Sequence, residues 1–149
     1  MQSLLNILAR EEEVLKKMLQ VSVDKQTALV SNSREKLDEC TRIEEALLPR
    51  IKTLENERLT EYKNLREKYN LTVTNNRLEE YLENLKPEIS EEDYDKLHEI
   101  QLEIKQVVTD LRKLNEQNMY LINHSRSFIG ETISILAGEG KKSILDRKV

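Results

Sequence analysis

Between Pro87 and Gly130 the chain runs without one glycine or proline. No other feature limits the fold as strongly. A stretch this long, free of breakers and studded with regularly spaced apolar residues, reads as one continuous helix. Leu97, Ile100, Ile104, Val107, Leu111 and Leu114 step alternately by three and four. That seven-residue repeat predicts coiled-coil packing along a helix of ~45 residues, about 70 Å long. Ser90 and Asp93 supply its N-terminal cap, and Gly138-Glu139-Gly140 its end.

The rest of the chain is almost as poor in breakers. It holds three glycines and two prolines in all, where average usage at this length gives about 18. Phosphate-cradling turns need glycines after strands, and the glycines here all lie near the C-terminus, so Rossmann and P-loop enzymes are excluded. All-β folds need turns and aromatic or β-branched strands, which are scarce. With aromatics at 4% and no tryptophan, the core has to come from Leu, Ile and Val stripes on helices.

Two further helices precede the long one. Ile7, Leu8, Val14, Leu15, Met18, Leu19, Val21 and Leu29 recur at helical spacing from about residue 2 to Val30, with Glu11-Glu12-Glu13 outside the stripe. Ser31-Asn32-Ser33 breaks it, and Asn32 with Glu35 has the spacing of a capping box. The next helix spans Ser33 to Tyr69, with Leu37, Cys40, Ile43, Leu47, Ile51, Leu54, Tyr62, Leu65 and Tyr69 on its buried side. Arg58 interrupts that register. Pro49 lies within the pattern, and the stripe continues in phase across it, which predicts a kink rather than a split. Residues 70–76 read as a loop, and Asn76 and Glu79 box a short helix through Leu85, closed by Lys86-Pro87. The expected architecture is all-α: an elongated antiparallel helical bundle of three long helices plus one short helix. It forms a single domain over 1–138, with a flexible basic tail over 139–149.

The net charge of −4, with both signs interspersed, describes solvated helix faces and no nucleic-acid footprint. No apolar run is long enough for a membrane span, and the N-terminus lacks the basic start of a secretory signal. The single cysteine, Cys40, fits a reducing cytoplasm. Catalytic and cofactor chemistry find no foothold. Asp95-Lys96-Leu97-His98 is the nearest approach to a di-iron motif and has no second copy. The other histidine, His124, has no carboxylate three or four residues before it. Cys40 sits in an apolar stripe, as a buried small hydrophobe does. The expectation is a binding protein without metal or cofactor.

The long helix changes character beyond Leu114. One seam position becomes polar or small three times, at Asn118, Ser125 and Thr132, while Leu121, Ile122, Phe128, Ile129 and Ile133 keep the other side apolar. Two readings fit. Either the helices approach closely here, with a buried Asn118 fixing register, or these residues line an apolar groove left open for a partner helix.

The order of segments resembles a known family. Leu54-Glu55-Asn56-Glu57-Arg58 in the second helix carries the resemblance, with Leu114-Asn115-Glu116-Gln117-Asn118-Met119-Tyr120-Leu121-Ile122 and Phe128-Ile129-Gly130-Glu131-Thr132-Ile133-Ser134-Ile135-Leu136 in the last. Over about residues 1–138 the chain is similar to flagellar export chaperones of the FlgN type. The resemblance implies a cytoplasmic chaperone of the flagellar type III secretion system. It implies binding to the C-terminal amphipathic helices of hook–filament junction proteins, prevention of their early assembly, and delivery to the export gate and its ATPase complex. The family carries a Tyr-Gly element in a flexible tail implicated in docking to the gate. Here that stretch has no tyrosine, and Ile144 and Leu145 are the candidates in its place. The alternative is a structural coiled-coil or adaptor subunit that dimerises through its long helices.

Overall fold

In the computed structural model, α1 spans Gln2–Val30, α2 Arg34–Tyr69, α3 Leu78–Leu85 and α4 Glu91–Leu136. The structure describes residues 1–136, with positions 127–129, 131 and 132 described by their backbone alone. Every regular element among the described residues is helical.

Cross-helix pairs fix the directions. Lys25 meets Glu44 at 2.9 Å and Arg10 meets Glu57 at 2.7 Å, so α1 and α2 are antiparallel. Lys16 meets Glu103 at 3.2 Å, and Gln26 donates to Gln117 at 3.0 Å, so α1 and α4 run parallel. Consecutive long helices therefore alternate in direction, as expected of this bundle. α1 is the central element, packed against α2 on one side and α4 on the other.

The turns differ in detail from the sequence reading. Asn32 is not the cap of α2. It takes a left-handed conformation (φ 53°) after the end of α1, while the Ser33 N–H donates to the Ala28 carbonyl at 2.9 Å. Asn tolerates this conformation better than most residues. Ser33 then becomes the cap, its hydroxyl accepting from the Lys36 N–H. Asn70 ends α2 in the same left-handed way (φ 51°). Asn76 does not box α3, whose N-cap is Arg77 without a side-chain bond. Glu80 reaches back instead, and its carboxylate accepts the backbone N–H groups of Thr74 and Asn75. The Ser90 hydroxyl does cap α4, accepting from Asp93 N–H at 3.1 Å. Pro49 lies inside an unbroken α2.

Two apolar clusters fill the seams. One joins Leu4 and Leu8 to Tyr62, Leu65, Tyr81, Leu85 and Leu97 where α3 closes the end of the bundle. The other joins Val14, Met18 and Val21 to Cys40, Leu47, Leu54, Val107 and Leu111. Burying such side chains contributes about 1.5–3 kcal/mol each. Ile43, expected inside, is exposed. At its turn of α2 the neighbouring Glu44 faces α1, where it pairs with Lys25.

Glu11 is the second departure, being 7% exposed rather than on a solvated face. It lies 3.1 Å from the Arg58 guanidinium, the residue that interrupts the apolar register of α2. Arg58 also donates to the Tyr62 hydroxyl at 3.3 Å. The Tyr62 ring stacks on Tyr81 at 3.9 Å between centroids, and the Tyr81 hydroxyl accepts from Arg66 at 2.9 Å. A cation that breaks a coiled-coil seam in sequence is thus the centre of a polar belt between α1, α2 and α3.

Candidate functional site

The residues singled out from sequence for partner binding, Asn118 to Ile133, sit on the C-terminal part of α4. The seam that begins at Leu97 stays buried through Val107 and Leu111 to Asn118. Asn118 is 3% exposed, and its side-chain N–H donates to the Ser22 carbonyl of α1 at 3.0 Å. The Ser22 hydroxyl in turn donates to Asn115 at 3.5 Å. Asn118 therefore faces α1, in the place the register reading gives it. Its own side-chain oxygen is buried without a hydrogen-bond partner among the described residues.

Past this point α1 runs out. Gln26 is bonded to Gln117, and α1 ends four residues later at Val30. Four residues along α4 from Gln117 is Leu121, yet α4 continues to Leu136. Its last fifteen residues or so, about 22 Å of helix, extend beyond the end of α1. Exposure along this stretch is mixed, with Ser134 only 3% exposed. Leu121 and Ile122 are half-buried, and Ser125 is exposed. Ile133 is 61% and Leu136 82% exposed. Phe128, Ile129 and Thr132 lie on the helical backbone, and their side chains fall outside the described residues, as do Ile144, Leu145 and the whole tail over 139–149.

Leu121 and Tyr120 line a cavity of about 630 Å³ with Gln26 of α1, at the step where α1 stops. Tyr120 stacks against His124, and both it and Met119 are exposed. Sequence reasoning did not assign Met119, Tyr120, Ile135 or Leu136 to the site. A charge count along the chain would have found them. From Asn118 to Leu136 only Arg126 and Glu131 are charged, in a chain whose charged residues make up 35%. Loss of charge alongside retained apolar residues marks the central part of an interface.

Among the described residues no group of His, Cys, Asp or Glu is placed to hold a metal ion, and no helix is long and apolar enough to cross a membrane. Cys40 is free and buried, and burial pushes its thiol above the ordinary range, so the nucleophilic thiolate is disfavoured. His98 and His124 are exposed.

A central helix flanked by two others, with the longest continuing past the end of α1, defines an all-helical bundle protein. The family model described as FlgN protein matches residues 1–145, and the chain belongs to this family. FlgN proteins are chaperones of flagellar type III export and bind export substrates. Comparison with curated proteins gives no match, and comparison with solved structures gives none.

Proposed function

We propose that this chain acts in the cytoplasm, holding the C-terminal amphipathic helices of hook–filament junction proteins against the end of α4 until they are delivered to the export gate. The observation that carries this reading is the extension of α4 beyond α1 with Ile133 and Leu136 exposed. A client helix laid along Leu121, Ile122, Ser125, Phe128, Ile129, Thr132 and Ile133 would bury its apolar stripe there instead of in its later assembly contacts. Each fully buried Leu or Ile contributes about 1.5–3 kcal/mol, so three or four such contacts suffice for micromolar affinity after the cost of association. The task calls for binding energy and no bond-making chemistry. Ile144 and Leu145 are the proposed contacts to the gate and its ATPase complex.

Calorimetry with the C-terminal segment of a junction protein tests this. Saturable binding is expected, weakened at least tenfold by Leu121→Asp or Phe128→Asp with far-UV helicity retained. No binding at about 50 μM client would overturn the reading, since that excludes affinities useful to a chaperone. The same exposed apolar end favours one other reading, a structural subunit that dimerises. A tight dimer in sedimentation without any client would support it.

A further inference from the structure

Lys16 on α1 serves two carboxyl groups at once. It pairs with Glu12, one turn back on its own helix, and at 3.2 Å with Glu103 of α4. The Glu12 and Glu103 carboxyls are themselves in hydrogen-bond contact across the seam between α1 and α4. The Glu12 side chain is shielded there, at 14% exposed, while that of Glu103 is 46% exposed.

One ammonium cannot neutralise two carboxylates, and the cations nearby are engaged elsewhere. On α1, Arg10 pairs with Glu57 and Lys17 with Glu13. On α4, Lys96 pairs with Glu92, and Lys105 lines the cavity between α4 and α2. Glu11, the chain neighbour of Glu12, is turned to Arg58 of α2. The charged groups that act most on Glu12 are Glu103 and Lys16, and those that act most on Glu103 are Glu12 and Lys16. None of them stands on α2. Two ionised carboxylates are acceptors only and repel at contact, whereas one proton between them turns the contact into a bond.

We infer that Glu12 and Glu103 share one proton, which bonds α1 to α4 and is lost as pH rises, so that this seam is a proton-dependent clasp. Its place in the fold makes it count. Ile104, the residue after Glu103, packs against both apolar clusters, so ionising the second carboxyl puts like charges beside the point where the clusters meet. Burial, then the bond to Glu103, raises the Glu12 carboxyl above its ordinary value of 4.5, against the pull of Lys16. The bond to Glu12, then Lys16, holds the Glu103 carboxyl below that value. Glu12 therefore contributes stability below about pH 4.5 that is lost as pH rises through its folded value. Glu103 contributes above that pH and loses its effect on acidification. The pair stabilises most near pH 4.5, where it holds one proton, and less on either side. An ordinary network of Lys16 with two ionised carboxylates would instead stabilise increasingly with pH and then level off.

NMR titration of the glutamate carboxyl carbons in the full chain tests this, with Glu12→Gln and Glu103→Gln assigning the signals. Glu12 is expected to titrate above 4.5, and Glu103 below it with a second inflection at the Glu12 midpoint. Glu103→Gln should bring the Glu12 midpoint down, and Glu12→Gln should remove the second inflection. Melting temperatures read the seam itself. Glu12→Gln keeps an N–H donor for Glu103 but does not titrate, so it should gain on wild type between about pH 4.5 and 7. Both carboxyls titrating below 4.5 in the wild type, or Glu12→Gln falling behind wild type as pH rises, overturns the proposal. So does a Glu12 midpoint that Glu103→Gln leaves unmoved or raises.

Discussion

The Asn118 side chain of α4 donates its amide hydrogen to the Ser22 carbonyl of α1 in a buried 3.0 Å bond that ties the two parallel helices together. The acceptor is a helical carbonyl using its second lone pair, while the Asn118 side-chain oxygen is buried without a partner among the described residues. Asn118→Ala should therefore destabilise the fold by about 1 kcal/mol plus a small cavity cost. Asn118→Leu removes the unpaired oxygen and refills the space, so it should lie closer to wild type. Urea unfolding of the two variants checks the order.

Glu11 and Arg58 are worth more together than either is alone. Truncating Arg58 leaves a carboxylate buried without its countercharge, and Arg58→Ala should cost about 3 kcal/mol. The double variant Glu11→Gln/Arg58→Met carries no buried charge and should recover most of that loss. A double-mutant cycle by chemical denaturation measures the coupling.

Burial raises the Glu11 carboxyl above its ordinary value near 4.5, against the pull of Arg58. A raised carboxyl binds its proton more tightly in the folded state than in the unfolded one. Its contribution is therefore most favourable below about pH 4.5 and is lost as pH rises through the folded value. Glu11→Gln lacks this titration. Melting temperatures from pH 4 to 7, within the range about which most domains are stable, should show the variant gaining on wild type as pH rises. A difference independent of pH would contradict the assignment.

Pro49 removes the N–H that would bond the carbonyl four residues earlier, at Glu45, within an otherwise unbroken α2. Its flanks are exposed, so replacing it need not disturb the core. Pro49→Ala should raise stability by about 1–3 kcal/mol. A fall in the urea midpoint would instead show that the backbone conformation Pro49 imposes is needed for the fit of α2 on α1.

Glu80 organises the only long loop among the described residues, accepting from Thr74 and Asn75, and these bonds hold its carboxyl below the ordinary range. A lowered carboxyl stabilises above its unfolded value and loses that effect as pH falls. Glu80→Ala should speed amide hydrogen exchange at Thr74 and Asn75 while leaving α1 and α4 protected.

The sequence alone determined the four helices, because breakers are few and apolar spacing at three and four residues allows no other regular structure here. It placed Cys40, Leu47, Leu54, Leu97 and Val107 in the interior for the same reason. It also marked the region after Asn118 as different, through the loss of apolar residues from one seam position. Periodicity identifies a face but not the length of the neighbour that covers it. Only the tertiary packing decided that α1 stops alongside Leu121 while α4 goes on, which separates a buried Asn118 from an exposed Ile133 on one helix. Only packing turned Glu11 and Arg58 from pattern errors into a buried pair. Their meeting depends on the offset between α1 and α2, which brings together residues 47 positions apart in the chain (58 − 11), and no local spacing encodes that offset.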